Sequence, residues 1–240
     1  MKFLNKILDV LFPDNLTCDL CGREVFDGGN LCSDCRKTVQ FNDGETCPLC
    51  GRRTQNSEQL CLECKAQTPL FDKAVSAMVY EGGAQKLIVG FKESKPYLKR
   101  FFAEKLYEKC KQFTDAQAVC YVPMTSSAEY RRGYNQSRLL AKELAKRLNL
   151  PMIKGGIEKV KETKSQKQLT KKDREQNLKS CFKADRQKVE GKVIIVVDDV
   201  LTTGATADAI CAELKKKGAS EVYFATVASV EYKAETQRDL

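Results

Sequence analysis

Four Cys-x-x-Cys pairs within the first 64 residues, in a chain that contains no histidine, constrain this sequence more than any other feature. The segments CDLCGREVFDGGNLCSDC (18–35) and CPLCGRRTQNSEQLCLEC (47–64) align without gaps at an offset of 29, which makes the module an internal repeat. Each copy reads Cys-x-x-Cys-Gly-Arg, then eight residues ending in Leu, then Cys-x-x-Cys. The two-residue gap lets neighbouring thiolates share one ion, the glycine allows the tight turn of a zinc knuckle, and the second pair closes a tetrahedron. The simplest pairing assigns one Zn²⁺ to Cys18, Cys21, Cys32 and Cys35 and another to Cys47, Cys50, Cys61 and Cys64; an interleaved pairing stays open. Both sites are then all-thiolate and closed, so they contribute folding energy rather than chemistry. Redox use is disfavoured, because no thioredoxin-like strand context accompanies the pairs. Cys110, Cys120, Cys181 and Cys211 stand singly in apolar surroundings and read as core residues.

Twelve cysteines would suit a disulfide framework in an exported chain, but no export signal is read. The opening MKFLNKILDVLFP is interrupted by Lys6 and Asp9, and no small-residue cleavage site precedes Cys18. Phe3, Leu4, Ile7, Leu8 and Leu11 instead share one face of an amphipathic helix that Pro13 stops. No segment approaches the roughly 20 apolar residues of a membrane span, so a cytoplasmic chain with reduced thiols and no transmembrane segment is expected. The missing imidazole also excludes histidine-dependent triads. Metal-bound thiolates with two Zn²⁺ would lower the formal charge of +9 to +5, still basic and suited to phosphates or nucleic acid.

The expected division is an N-terminal helix with a double zinc ribbon over 1–68 and an α/β domain over 71–240. Beyond Pro69, AVSAMVY (74–80) and AVCYV (118–122) are β-rich, with helical stretches near 84–92 and 96–112. Leu140, Leu144 and Leu148 align on one face of a helix over 136–148. KVIIVVD (192–198) is a continuously apolar strand, as in a parallel sheet covered on both faces. A helix near 204–217 and a strand at 221–229 follow. This alternation predicts a doubly wound sheet whose ligand sits beyond the carboxyl ends of the strands.

The segment VIIVVDDVLTTGAT (193–206) is the most informative of these. A buried strand delivers Asp198 and Asp199, and a Thr-Thr-Gly-Ala-Thr turn then opens a helix whose N–H groups and hydroxyls can surround a phosphate. Carboxylates repel phosphate but accept hydrogen bonds from sugar hydroxyls, so a ribose carrying a 5′-phosphate satisfies both halves. A Walker B strand is the rival, yet neither Gly-x-x-x-x-Gly-Lys-Ser/Thr nor Gly-x-Gly-x-x-Gly occurs.

This segment resembles the phosphoribosyl pyrophosphate signature of type I phosphoribosyltransferases. RRGYNQSRLLA (131–141), the Val122-Pro123 strand end, and the spaced Thr163, Gln166, Leu169, Arg174, Asn177 and Phe182 narrow the resemblance to the competence protein ComF (ComFC-like) family. The resemblance covers nearly the whole chain. It implies a type I phosphoribosyltransferase-like parallel sheet with helices on both faces, preceded by a small all-cysteine zinc ribbon module. It also implies Asp198 and Asp199 at the ribose hydroxyls and Thr202, Thr203, Gly204, Ala205 and Thr206 around the 5′-phosphate, with Mg²⁺ accompanying phosphoribosyl pyrophosphate. A role in DNA uptake during natural transformation, with single-stranded DNA and the uptake helicase machinery as partners, is implied likewise.

Arg131, Arg132, Tyr134, Asn135 and Gln136 form a donor-rich segment that could receive a pyrophosphate, with Asn135 as a helix cap the plainer reading. From 159 to 192 basic residues predominate, either as a positive loop over the site or as a solvated segment. As an enzyme, the chain would be a pentosyl-transferring phosphoribosyltransferase: a nitrogen nucleophile displaces pyrophosphate from C1, and the protein positions the substrate and stabilises the departing charge. The alternative is a catalytically inactive, single-stranded DNA-binding competence factor that uses its ribbons, with Arg23, Arg36, Arg52, Arg53 and the lysines of 86–111 and 159–192 on phosphates, and keeps the ribose-phosphate site as sensor or relic.

Overall fold

The computed structural model describes residues 16–26, 29–161 and 181–231. The amphipathic helix expected over 3–11, and Thr163, Gln166, Leu169, Arg174 and Asn177, lie outside them.

Strands β1 (Lys73–Val79), β2 (Ala118–Tyr121), β5 (Val193–Leu201) and β6 (Glu221–Ser229) form a parallel sheet in the order β1-β6-β5-β2. β5 and β6 are central and buried on both faces, which is why their sequences show no polar alternation until Asp198. One face is covered by α3 (Gly82–Glu93), α4 (Lys99–Cys110) and α6 (Gln136–Leu148). There Leu87, Phe91, Phe102, Leu106, Leu140 and Leu144 pack against Ile195 and Val197. The opposite face carries α8 (Ala205–Lys216), whose Ala207, Ile210, Cys211 and Leu214 meet Ile194, Val196 and Phe224. The helices therefore lie on both faces, as the alternating pattern requires.

Of the basic stretch 159–192, expected as a positive loop or a solvated segment, residues 162–180 lie outside the described residues, and the described ends are structured. β3 (Ile157–Lys159) and β4 (Phe182–Ala184) pair antiparallel, and Ile157, Cys181 and Phe182 are buried in the core beside α8. A single turn, α7 (Arg186–Val189), capped by Asp185 and seated on buried Val189, leads into β5. Apolar anchors at 181, 182 and 189 hold down ends that the lysine-rich composition had masked.

The ribbons, with their short helices α1 (Ser33–Lys37) and α2 (Leu62–Ala66), close the open side of β1. Phe41 bridges Met78 antiparallel, Asn42 N donates to Ala77 O (3.0 Å), Val79 N to Gln40 O (2.9 Å) and Ala74 N to Leu49 O (2.7 Å). An edge strand that would otherwise present unpaired amides is thus covered. Cys18, Val25, Leu31 and Val39 join the core of one face, and Cys47, Cys50 and Cys64 that of the other, so the two ribbons straddle the sheet edge.

Candidate functional site

The cysteines group as two sequential tetrads, Cys18, Cys21, Cys32, Cys35 and Cys47, Cys50, Cys61, Cys64, with the sulfurs of each within 4.8 Å of one another. Cys21 and Cys32 Sγ lie 3.8 Å apart, and Cys50 and Cys61 Sγ 3.6 Å. Four thiolates at 2.3 Å from a tetrahedral zinc stand about 3.8 Å apart, so each tetrad fits one Zn²⁺. The interleaved pairing is set aside. Cys110, Cys120, Cys181 and Cys211 are buried core thiols; burial pushes that of Cys120 up to about 11.

The second centre forms where β5 ends. Asp199 is buried, and its Oδ2 accepts from Gln136 Nε2 (2.9 Å) and pairs with Lys92 Nζ (3.1 Å). Asp198 Oδ1 accepts from Ser137 Oγ (2.8 Å). Burial, then the adjacent charge of Asp199, push the Asp198 carboxyl up to about 7 from the usual 3.8, against the Ser137 hydrogen bond and the Lys92 charge. Burial opposes the Lys92 ammonium, but Asp199 and Asp198 outweigh it and hold its pKa above the ordinary lysine value.

These partners are placed by the NQS triplet at the start of α6. Asn135 caps the helix, accepting from Arg138 N (3.0 Å), and its Nδ2 donates to Val122 O at the end of β2 (3.1 Å). Gln136 and Ser137 then fall in the first turn, beside the acids. Tyr134 Oη donates to the carbonyl of Phe91, immediately before Lys92. Of the donor-rich segment, Tyr134 and Asn135 are thus engaged by backbone, Gln136 joins Asp199 to Arg132 (Nη1 to Oε1, 2.8 Å), and Arg131 and Arg132 face a cavity.

Beyond Asp199 the chain turns at Gly204, whose φ of +84° is a left-handed conformation that side chains rarely adopt, and α8 begins. Thr202, Gly204 and Thr206 line a cavity of about 170 Å³ together with Asp198, Asp199 and Lys92. Thr203 lies toward the second ribbon and Ala205 is buried as the first residue of α8. A second cavity of about 380 Å³ is lined by Lys92, Glu93, Met124, Ala128, Arg131 and Arg132. Lys92 borders both, so the two adjoin with a cation between them. Sequence reasoning named neither Lys92 nor Ser137 as a site residue. Lys92 was one lysine among many in 86–111, and only the serine's place in the NQS triplet hinted at its use.

The Double zinc ribbon domain family matches residues 7–65, and the Phosphoribosyl transferase domain family matches residues 135–239. Competence protein F of Haemophilus influenzae is 34% identical over 165 residues, covering 65% of this chain and 72% of that protein. The chain belongs to the competence protein F family. Competence protein ComFC of Bacillus subtilis is 35% identical over 111 residues, 45% of this chain and 43% of that one. DNA utilization protein YhgH of Escherichia coli is 34% identical over 104 residues, 43% of this chain and 45% of its own. This chain therefore spans less than half the length of these two relatives. Among solved structures, the allosteric regulatory enzyme of purine biosynthesis is 26% identical over 53% of this chain and 25% of that chain at a TM-score of 0.38.

As a competence protein F family member, the chain combines a phosphoribosyltransferase-type α/β domain with an all-cysteine double zinc ribbon. No helix among the described residues is long and apolar enough to cross a membrane. The expectation for ribbon-borne DNA contacts needs one correction. Arg52 is buried against the Thr202 carbonyl, so it cannot lie on a DNA-binding surface. Arg23, at the equivalent position of the first repeat, is exposed and pairs with Asp34 (2.9 Å).

Proposed function

We propose that this chain binds phosphoribosyl pyrophosphate or ribose 5-phosphate and transfers the phosphoribosyl group to a nitrogen acceptor, within a role in DNA uptake. The observation that carries the reading is the pair of adjoining cavities that meet at Lys92, acids and threonine loop in one, two arginines in the other. Asp198 and Asp199 accept from the ribose hydroxyls. The 202–206 turn and the positive end of α8 hold the 5′-phosphate. Lys92, Arg131 and Arg132 take the pyrophosphate.

The acids are pre-oriented by Ser137, Gln136 and Lys92, so only the Lys92 contact has to change when the ribose arrives. A hydroxyl donating to Asp199 competes with Lys92 and frees its ammonium to follow the charge into the larger cavity. Attack of nitrogen on C1 forms the N–C1 bond as the C1–O bond breaks, the electron pair leaves with pyrophosphate, and the proton of the nitrogen passes to solvent. Mg²⁺ arriving with the ligand would supply charge neutralisation. Asp198 and Asp199 are the oxygen donors of this chain nearest to it, and both already hold side-chain partners.

The test is calorimetry of the zinc-loaded chain with phosphoribosyl pyrophosphate and Mg²⁺, followed by a screen of bases for pyrophosphate release. Binding with release supports the enzyme. Binding without release supports the sensor reading, which the competence and DNA utilization names of the relatives favour. No binding removes both.

A further inference from the structure

The second ribbon abuts the back of the phosphate loop, and the contact is a buried charge. Arg52 Nη2 donates to the carbonyl of Thr202, 150 residues away in sequence. Its backbone is fixed by the knuckle itself: Cys47 N donates to Arg52 O (2.7 Å) and Gly51 N to Cys47 O (2.9 Å). The knuckle in turn cannot shift on the sheet. A Cβ at Gly51, where φ is +66°, would meet Ala74 O at 2.6 Å and Val75 Cα at 2.7 Å. A crevice of about 20 Å³ lined by Arg52, Glu63, Cys64, Thr203, Gly204 and Asp208 marks the seam. Asp208 in the first turn of α8 adds a second tie by accepting from Leu70 N (2.8 Å).

A seam needed only for packing would be filled more favourably by an apolar side chain, since burying a guanidinium is costly. The repeat supplies an internal comparison. Arg23 has the same place in the first knuckle, yet it points to solvent and reaches Cys21, Cys32 and Asp34. Duplicated arginines have therefore taken different roles, and the buried one lies behind the loop that would receive a doubly negative phosphate.

We propose that the second zinc ribbon is a buttress for the phosphate loop. Its metal tetrad fixes the knuckle, the knuckle fixes Arg52, and Arg52 holds the Thr202 carbonyl. Arg52 is a positioning residue, and the inference rests on the reading of 202–206 as a ribose 5-phosphate cradle. Zinc retention by this ribbon and affinity for ribose phosphate are then coupled, and the coupling is reciprocal.

The test uses the full zinc-loaded chain with Arg52→Met, Arg52→Lys and, as control, Arg23→Met. Three quantities are read: amide hydrogen exchange over 200–208, ribose 5-phosphate affinity by calorimetry, and the rate of zinc loss to a chelator with and without ribose 5-phosphate. Arg52→Met should keep two zinc ions, exchange faster over 202–206 and lose about tenfold in affinity. Arg52→Lys should fall between, and Arg23→Met should match wild type in exchange over 202–206 and in ribose 5-phosphate affinity. Ribose 5-phosphate should slow zinc loss in wild type but not in Arg52→Met. Unchanged exchange over 202–206, or wild-type affinity in Arg52→Met, overturns the buttress. If wild type itself does not bind ribose 5-phosphate, the cradle reading fails and the exchange comparison alone decides the buttress. Should Arg52→Met not fold, Arg52→Lys carries the same comparison, since it keeps the charge.

Discussion

Replacing Asp198 by asparagine should stabilise the ligand-free protein while weakening its ligand site. The carboxyl ionises near 3.8 in an unfolded chain and near 7 in the folded one, because burial and the neighbouring Asp199 charge disfavour its anion. Below 3.8 both states hold the proton and folding loses nothing. Between 3.8 and 7 only the unfolded chain releases it, so stability falls as pH rises, and above 7 the loss is complete. A displacement of about three units corresponds to roughly 4 kcal/mol at full ionisation. Asparagine keeps the volume and an oxygen for the Ser137 hydroxyl but carries no charge. A gain of about 2–4 kcal/mol is expected at pH 8, or on the order of 5–10 °C in Tm for a chain of this length. At pH 5 the gain should be less than half as large. Thermal unfolding of wild type and variant at both pH values measures this, and taking the difference at each pH cancels the common response of the zinc thiolates. An equal gain at the two values, or a less stable variant at pH 8, would refute the reasoning.

Asp199→Asn is expected to act in the opposite sense on stability, since it leaves the partly buried Lys92 ammonium without its Asp199 partner; calorimetry should also show ribose-phosphate binding weakened by about 1.5–3 kcal/mol. Metal analysis should return two zinc ions per chain, one for each tetrad, and Cys32→Ser should unfold the first ribbon; one zinc or an iron–sulfur cluster in the wild type would contradict the assignment. Single-stranded DNA should bind without sequence preference, with log K falling by about 0.7 per phosphate contact per decade of salt. The absence of any gel-shift complex at low salt and micromolar protein would remove direct DNA binding.

What the sequence determined by itself was whatever is encoded locally. The repeated Cys-x-x-Cys-Gly-Arg spacing defines eight ligands, and the apolar run ending in Asp198-Asp199 before Thr-Thr-Gly-Ala-Thr defines a strand, a turn and a helix start within 14 residues. Such features are legible because hydrophobic period, turn chemistry and ligand spacing act over a few residues. The tertiary structure decided which of many basic residues are buried and what they hold. Lys92 reaches Asp199 from another helix, Ser137 reaches Asp198 across 61 residues, and Arg52 reaches Thr202 across 150. It also turned Tyr134 and Asn135 into supports for Lys92, Gln136 and Ser137, and set the ribbons along the edge of β1. The physical reason is the parallel sheet. Its neighbouring strands are joined by long crossovers, so the side chains that meet at their carboxyl ends come from distant segments, and no local pattern records the encounter.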